Sequence, residues 1–133
     1  MGAKKLKILI AEDDNDVLAL YKDYFATMGH MVIYSFLNAD NLMANFEQSL
    51  PDICVIDYKF QSSRNGLNVA AEILKKHPAM PILFITGHEK LQKEIDAIPF
   101  LHDKKLSVLI KPVMLANIEN TIVNLTRTEN PKQ

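Results

Sequence analysis

Five short apolar runs alternate along the chain with longer segments whose apolar residues recur at helical spacing. Each run is nearly continuous in apolar residues, a pattern typical of strands that are covered on both faces of a sheet. The intervening segments carry apolar residues three and four positions apart, which is the period of an amphipathic helix. We predict strands at residues 7–11, 31–35, 53–57, 82–86 and 107–110.

Turn-forming and capping residues mark the ends of the predicted helices. Gly29 is placed to end the first helix, and Pro51 stops the second, which Asn38 or Asp40 can cap. Gly66 opens the third helix after a polar loop. The helices are predicted at residues 16–28, from 38 or 40 to 50, from 66 onward, within 88–100 and at 114–125. The first of them shows its apolar pattern at Val17, Leu20, Tyr21, Tyr24, Phe25 and Met28.

Five strands alternating with five helices predict a βα repeat and hence a parallel sheet. Right-handed crossovers leave few topologies, and the leading one is a doubly wound five-stranded α/β sheet in the order 2-1-3-4-5, with helices on both faces and a flavodoxin-like topology. The 133 residues suit one domain, here residues 5–127, followed by a polar C-terminal tail at 128–133. Ligands of such sheets bind beyond the carboxyl ends of the strands, at the switch between strands one and three.

Composition excludes several classes of protein. The formal net charge of −1 provides no basic field for a nucleic acid backbone, so DNA binding by this chain is not expected. No stretch approaches the ~18 apolar residues of a membrane span. The single cysteine, Cys54, lies in an apolar run, where a buried thiol is expected, and this usage fits a reducing compartment. We therefore expect a cytoplasmic protein with no membrane association.

Polar groups follow four of the predicted strands at the edge where a ligand is expected. Glu12 and Asp13 follow the first strand, Asp57 ends the third, Thr86 ends the fourth and Lys111 follows the fifth. Three carboxylates in one place repel one another unless a cation compensates them. Mg²⁺ takes oxygen ligands and combines one or two carboxylates with a phosphate oxygen, so a magnesium site is predicted, with Mn²⁺ as the alternative ion.

The same edge suits a phosphoryl group. Asp57, mounted at the end of a strand, is the predicted nucleophile, because a carboxylate can attack phosphorus to form an acyl phosphate. Phosphorylation takes the site from a charge of about −3 to about −4, and a divalent cation with Lys111 returns it to about −1. The Thr86 hydroxyl and the backbone N–H of Gly87 are placed to bind phosphoryl oxygens.

Each of these residues also has a plain structural interpretation. Acidic triplets are usually solvated, Asp14 or Asn15 can serve only to cap the first helix, and an aspartate after a strand often forms a turn. A lone threonine or a Lys-Pro pair is weak evidence by itself. Their occurrence together, in this order and each at a strand end, favours the functional interpretation.

In these motifs the chain resembles the response regulator receiver domains of two-component signalling, the CheY-like family, over about residues 5–127. The resemblance implies that Asp57 is the phosphoacceptor. It also implies that Glu12, Asp13 and Asp57 hold Mg²⁺ together with the backbone carbonyl of Lys59. The matching segments are Ile-Leu-Ile-Ala-Glu-Asp-Asp, Pro-Asp-Ile-Cys-Val-Ile-Asp, Ile-Leu-Phe-Ile-Thr-Gly-His and Val-Leu-Ile-Lys-Pro-Val.

The resemblance implies further roles and partners. Thr86 is then the switch hydroxyl, Lys111 contacts the phosphoryl group, and the Lys111–Pro112 peptide bond is cis. The phosphodonor is then a sensor histidine kinase or a phosphotransfer protein. Because only a short polar tail follows the domain, the message is expected to pass to a separate downstream protein, unless the chain is a receiver excised from a larger one. The chain is then no enzyme beyond its own phosphorylation and dephosphorylation, and it is a monomer or a dimer formed on phosphorylation.

The chain also departs from the family pattern. The loop after Asp57 is one residue longer than usual and lacks the usual Met-Pro, so that Gly66 lies nine residues beyond Asp57. Val108 stands where many members have an aromatic residue, which excludes a rotating aromatic switch at that position.

Two residues beside the site have two interpretations. Lys59 and His88 lie two residues after Asp57 and Thr86 respectively. Surface exposure is the plain interpretation for both. The functional hypothesis is that they shield the acyl phosphate from water and set its lifetime.

Several alternatives are weighed against the phosphorylation switch. A pseudo-receiver, a phosphorylation-independent protein-binding module, explains the altered loop and Val108, but the retention of all five site residues argues against it. A magnesium-dependent hydrolase of the haloacid type needs an acid two residues after the nucleophile, where Lys59 stands. A flavin-binding module needs a phosphate-cradling loop, and none is visible after the first strand. A receiver that acts only as a phosphate sink stays open.

Overall fold

Strands and helices alternate along the chain in the computed structural model, which describes residues 5–12, 14–35, 39–57 and 65–127. A short 3-10 helix at Pro99–Leu101 follows the fourth α-helix. The strands are β1 (Lys7–Ala11), β2 (Met31–Ser35), β3 (Ile53–Ile56), β4 (Ile82–Thr86) and β5 (Leu106–Ile110). The α-helices are α1 (Asn15–Thr27), α2 (Ala39–Ser49), α3 (Gly66–Lys76), α4 (Leu91–Asp96) and α5 (Leu115–Thr126).

The strands pair in parallel in one sheet, in the order β2-β1-β3-β4-β5. β1 lies between β2 and β3, so that Leu9 is opposite Ile33 on one side and Cys54 on the other. Neighbouring parallel strands need crossover connections, and α1 to α4 lie on these connections. The predicted doubly wound α/β fold is therefore confirmed, including its strand order.

Alternate strand residues pack on opposite sides of the sheet. One side buries Leu9, Cys54 and Phe84 among residues of α2, α3 and α4, and the other buries Ile10 and Val55 among residues of α1 and α5. Because helices cover both faces, both sets of alternating strand positions are apolar, which explains the continuous runs in the sequence. Cys54 is fully buried, as predicted, and burial raises the pKa of its thiol.

Several boundaries differ from the predictions by one residue. β3 ends one residue before Asp57, and β5 begins at Leu106. α2 begins at Ala39, so the prediction that Asp40 caps this helix is wrong, and the alternative cap, Asn38, lies outside the described residues. Sequence patterns locate helix ends only to within a residue or two, because the first turn makes few contacts that depend on the apolar period.

The ends of α1 follow from local residues. The Asp14 carboxylate accepts hydrogen bonds from two N–H groups of the first turn, at 2.9 and 3.2 Å, so Asp14 is the N-cap, one of the two caps considered. Gly29 has a φ of +93°, the left-handed conformation that ends a helix, as predicted. Leu20 is exposed and Leu18 is buried instead, because the helix face that packs on the sheet is centred on Leu18, Tyr21 and Phe25.

The segment between β4 and β5 is only partly α-helical. The helix predicted within residues 88–100 forms, but α4 has only six residues. The 3-10 helix takes up part of the remainder, with Pro99 in its first turn.

None of the helices within the described ranges combines the length and the apolar character that crossing a bilayer requires.

Candidate functional site

The carboxyl ends of β1, β3, β4 and β5 lie at one edge of the sheet, where backbone hydrogen bonds position the predicted site residues. The N–H of Asp57 donates to the carbonyl oxygen of Ala11 at 3.0 Å, which continues the pairing of β3 with β1 past the end of β3. The N–H of Lys111 donates to the carbonyl oxygen of Thr86 at 2.8 Å, which does the same for β5 and β4. Asp57 and Lys111 are therefore held by extensions of the sheet.

The Lys111 ammonium contacts two carboxylates. Its Nζ lies 3.4 Å from Oε1 of Glu12 and 3.6 Å from Oδ2 of Asp57. The Lys111 side chain is 33% exposed, whereas those of Glu12 and Asp57 are 4% and 12% exposed. Because solvent screens these charges less than those of a surface pair, their attraction is stronger than that of an ordinary exposed salt bridge. The structure thus brings together Glu12, Asp57 and Lys111, which follow three different strands.

Glu12 is a buried acid with two fixed neighbours. Its Oε2 accepts a hydrogen bond from the N–H of Asp14 at 3.1 Å, and its Oε1 accepts one from Lys111 at 3.4 Å. Burial raises the pKa of Glu12, and the charge of Asp57 adds to this rise, while the Asp14 N–H and Lys111 oppose it. A further positive charge nearby therefore stabilises the ionised form of Glu12.

Lys111 stays charged in spite of its partial burial. Burial by itself lowers the pKa of its ammonium, but the charges of Glu12 and Asp57 outweigh that effect, so the net shift is upward. Two carboxylates against one ammonium leave this part of the site with a net negative charge.

Tyr21 is a neighbour of the site that the sequence did not indicate. Tyr21 is 6% exposed, and its burial is the main cause of the raised pKa of its phenol. The charge of Lys111 opposes this rise, and those of Glu12 and Asp57 add to it, so the phenol lies within their electrostatic reach. The apolar period of the first helix identified Tyr21 only as a core residue.

Thr86 and the turn after it lie at the same edge. Thr86 is 1% exposed, and its Oγ1 accepts a hydrogen bond from the N–H of His88 at 3.1 Å. Gly87 is exposed, and a Cβ added there would meet no atom of the described residues within 4 Å, which leaves room beside it among them.

His88 is held against α4 by a residue that sequence reasoning missed. Its Nε2 lies 2.8 Å from Oε2 of Glu94, and the two side chains are 29% and 40% exposed. Glu94 could not be found from the sequence, because its distance from His88 depends on the turn that joins β4 to α4. The plain interpretation of His88 as a surface residue is therefore incomplete.

The predicted magnesium ligands are only partly within the described residues, because Asp13 and Lys59 lie outside them. Among the residues that are described, no group of three or more His, Cys, Asp or Glu side chains is arranged to hold a metal ion. Glu12 and Asp57 nevertheless present carboxylate oxygens to one nitrogen, that of Lys111. Oxygen donors with an excess of negative charge suit a hard divalent cation such as Mg²⁺.

One feature of the turn after β5 was expected from the resemblance. The Lys111–Pro112 peptide bond is cis. Val108 packs, partly buried, against the apolar cluster on the side of the sheet that α2, α3 and α4 cover.

The chain is similar to proteins of one family over most of its length. A family model described as "Response regulator receiver domain" matches residues 8–123. The luminescence regulatory protein LuxO of Vibrio campbellii is 25% identical over 118 residues, which are 89% of this chain and 25% of that protein. The response regulator protein PilR of Pseudomonas aeruginosa is 27% identical over 128 residues, which are 95% of this chain and 27% of that protein. The chain thus spans about a quarter of the length of these relatives.

Solved structures share the fold. The non-phosphorylated HemR receiver domain from Leptospira biflexa has a TM-score of 0.78 at 20% identity, covering 96% of this chain and 98% of that one. A response regulator receiver domain protein from Clostridium thermocellum has a TM-score of 0.76 at 24% identity, covering 90% and 93%. The response regulator TrrA from Thermotoga maritima, solved with Mg²⁺ and beryllium fluoride, has a TM-score of 0.76 at 20% identity, covering 92% and 99%. The CheY-like fold is therefore confirmed.

Proposed function

Since the chain belongs to the response regulator receiver domain family of two-component signalling, we propose that Asp57 accepts a phosphoryl group in a magnesium-dependent reaction. The contact of the Lys111 ammonium with the carboxylates of Asp57 and Glu12, at 3.6 and 3.4 Å, is the observation that best supports this role. A nucleophile at the end of a strand, a second acid beside it and a cation from another strand are the parts that phosphoryl transfer to a carboxylate requires.

The predicted site residues have different parts in the proposed transfer. A carboxylate oxygen of Asp57 forms a bond to phosphorus while the phosphorus–nitrogen bond of a phosphohistidine breaks, and the histidine nitrogen keeps the electron pair and takes up a proton. Lys111 stabilises negative charge on a phosphoryl oxygen, as an ammonium held in place does without reorganisation. Glu12, Asp13, Asp57 and the Lys59 carbonyl are the proposed ligands of Mg²⁺, which when bound neutralises charge on the phosphoryl oxygens.

The added charge drives the proposed switch. Phosphorylation replaces a charge of −1 by about −2 at Asp57 and adds strong acceptor oxygens. The Thr86 hydroxyl and the N–H of Gly87 can donate to these oxygens, which draws the end of β4 toward the site and shifts a two-state equilibrium. Since Val108 cannot act as a rotating aromatic, the signal passes through Thr86 and the backbone after it.

The proposed partners follow from the chemistry. The phosphodonor is a sensor histidine kinase or a phosphotransfer protein, and a downstream effector reads the altered surface of residues 5–127. The reducing cytoplasm is the proposed compartment, in keeping with the single buried thiol of Cys54. We further propose that Lys59 and His88 limit access of water to the acyl phosphate, which gives them control of its lifetime.

One measurement tests the acceptor. The protein is incubated with Mg²⁺ and acetyl phosphate, and its intact mass is recorded. The wild type is expected to gain one phosphoryl group. Chelation of Mg²⁺ before the incubation should prevent this gain. Asp57→Asn should gain none, because the amide cannot form the acyl phosphate. Asp52→Asn, which changes an exposed acid at the opposite edge of the sheet, is the matched control and should be phosphorylated like the wild type.

The outcome also separates the alternatives. A wild-type mass that stays unchanged, with the protein folded, would support a pseudo-receiver and contradict the proposal. Phosphorylation that persists in Asp57→Asn would place the acceptor elsewhere. Continuous turnover of an added phosphate ester would indicate a hydrolase.

A further inference from the structure

The turn between β4 and α4 is held at both ends by hydrogen bonds. At its start, the N–H of His88 donates to Oγ1 of Thr86 at 3.1 Å. At its end, the N–H of Leu91 donates to the carbonyl oxygen of His88 at 3.2 Å. The His88 imidazole contacts the Glu94 carboxylate at 2.8 Å. His88 therefore connects the hydroxyl at the end of β4 with a helix.

The direction of the side-chain hydrogen bond follows from its chemistry. An ionised carboxylate only accepts hydrogen bonds, so Nε2 of His88 donates to Oε2 of Glu94. A hydrogen bond to a charged acceptor is stronger than a neutral one, and partial burial of both side chains reduces competition from water. This contact fixes the turn relative to α4.

The position of the turn restrains Thr86. The bond from the His88 N–H sets the position of Oγ1, and a rotation of the Thr86 side chain about its Cα–Cβ bond breaks it. If Thr86 moves toward a phosphoryl group on Asp57, either this bond breaks or the whole turn follows. A contact that anchors the turn to α4 opposes movement of the turn, and the Thr86–His88 hydrogen bond itself opposes rotation of the Thr86 side chain.

We propose that Glu94 is a positioning residue for this turn, and that its contact with His88 is a latch that favours the arrangement in which Thr86 is bonded to the His88 N–H. The latch rests on the proposed function, since it opposes the movement of Thr86 toward phosphorylated Asp57. The latch therefore lowers the affinity of the site for a phosphoryl group, compared with the affinity that the ligands at the sheet edge would give without it.

The latch also connects α4 with the phosphorylation site in the other direction. Coupling between two sites is reciprocal, so a partner protein that draws Glu94 away from His88 raises the affinity of the site for a phosphoryl group by the same factor. Such a partner stabilises the phosphorylated form without contacting Asp57.

The test uses beryllium fluoride with Mg²⁺ as a phosphoryl mimic and measures its apparent dissociation constant by isothermal titration calorimetry. Glu94→Ala and His88→Ala each remove one side of the latch and are expected to tighten binding about two- to fivefold, the range of a partly exposed charged pair. The double variant should bind no more tightly than either single one, because both changes break the same contact. Asp96→Asn removes a carboxylate of the same helix that bonds to Gln92, and it should bind like the wild type.

Unchanged or weaker binding by Glu94→Ala, with an unfolding midpoint like that of the wild type, would overturn the latch. Additive tightening in the double variant would also overturn it, since the two side chains would then act separately. If the wild type neither binds the mimic nor gains mass with acetyl phosphate, the proposed function fails and the latch with it. Binding of the mimic with equal affinity by all variants contradicts the latch alone.

Discussion

Lys111 determines the charge balance of the site. Its ammonium is the cation that the structure places between Glu12 and Asp57, and it opposes the rise that burial produces in the pKa of Glu12. Because the pKa of Glu12 is raised in the folded protein, the folded state binds more protons than the unfolded state just above the ordinary pKa of a glutamate. Ionisation of Glu12 therefore lowers the stability as the pH rises through this window.

Removal of Lys111 should make this loss steeper. In Lys111→Met the opposing charge is absent, so the pKa of Glu12 rises further, and the free energy of unfolding should fall more between pH 5 and pH 7 than it does in the wild type. We expect an extra loss of about 0.5–1 kcal/mol, after allowance for the one-third exposure of Lys111. Urea unfolding at the two pH values measures it.

The matched control for this experiment is Lys76→Met. Lys76 pairs with Glu47 at 3.5 Å, and both side chains are largely exposed, so its removal should leave the difference between pH 5 and pH 7 unchanged. Equal pH dependence in Lys111→Met and the wild type would contradict the charge balance described for the site.

At the scale of elements, α3 depends on the capping of its first turn. Asn65 and Asn68 form a reciprocal capping box: the N–H of Asn68 donates to Oδ1 of Asn65 at 2.9 Å, and the N–H of Asn65 donates to Oδ1 of Asn68 at 3.1 Å. The helix begins directly at Gly66, so the cap lies immediately before the first residue of α3.

Loss of this cap should destabilise the fold measurably. Asn65→Ala removes the acceptor of the Asn68 N–H and is expected to lower the free energy of unfolding by about 1 kcal/mol. Asn65→Ser keeps a capping oxygen and should cost clearly less. Urea unfolding of the three proteins compares them, and equal losses for Ala and Ser would show that the side-chain cap contributes nothing.

At the scale of the whole molecule, the proposed site depends on the complete sheet. Glu12, Asp57 and Lys111 follow three different strands, and Thr86 ends a fourth. The sheet that aligns them is covered by apolar clusters on both faces. A ligand that bridges these residues binds only the folded chain, since unfolding separates them. Ligand binding and global stability are therefore linked.

Magnesium should raise the stability of the whole protein. At a free Mg²⁺ concentration ten times the dissociation constant, the expected gain in the free energy of unfolding is about 1.4 kcal/mol. Glu12→Gln should reduce this gain, because it removes a proposed ligand. The quantity to compare is the shift in thermal midpoint caused by Mg²⁺ in each variant, which separates this effect from any change in basal stability.

An acid remote from the proposed metal site provides the control. Asp103 lies before β5, at the opposite edge of the sheet from Lys111, and its side chain is largely exposed. Asp103→Asn should therefore keep the full shift on addition of Mg²⁺. A shift that survives undiminished in Glu12→Gln would argue that Mg²⁺ stabilises the protein at another place.

The order of apolar and polar residues along the chain is enough to predict the architecture. Continuous apolar runs predicted the five strands, because a strand buried on both faces must be apolar at every position. The alternation with helices and the rule of right-handed crossovers made the order 2-1-3-4-5 the leading topology. The strand ends also indicated which residues meet, since parallel strands direct their carboxyl ends to one edge. Glu12, Asp57 and Lys111 were predicted together for that reason, and their contacts agree with it.

Which side chains surround these residues depends on tertiary packing and could not be predicted from the sequence. Glu94 reaches His88 because a particular turn brings α4 back over the end of β4, and Tyr21 comes near Lys111 because α1 packs on the sheet with one particular face. The orientation of α1 about its own axis buries Leu18 and exposes Leu20, and the helical period does not distinguish these two residues. Periodicity reports distances along an element, whereas these contacts depend on how elements are placed against one another through loops and packing.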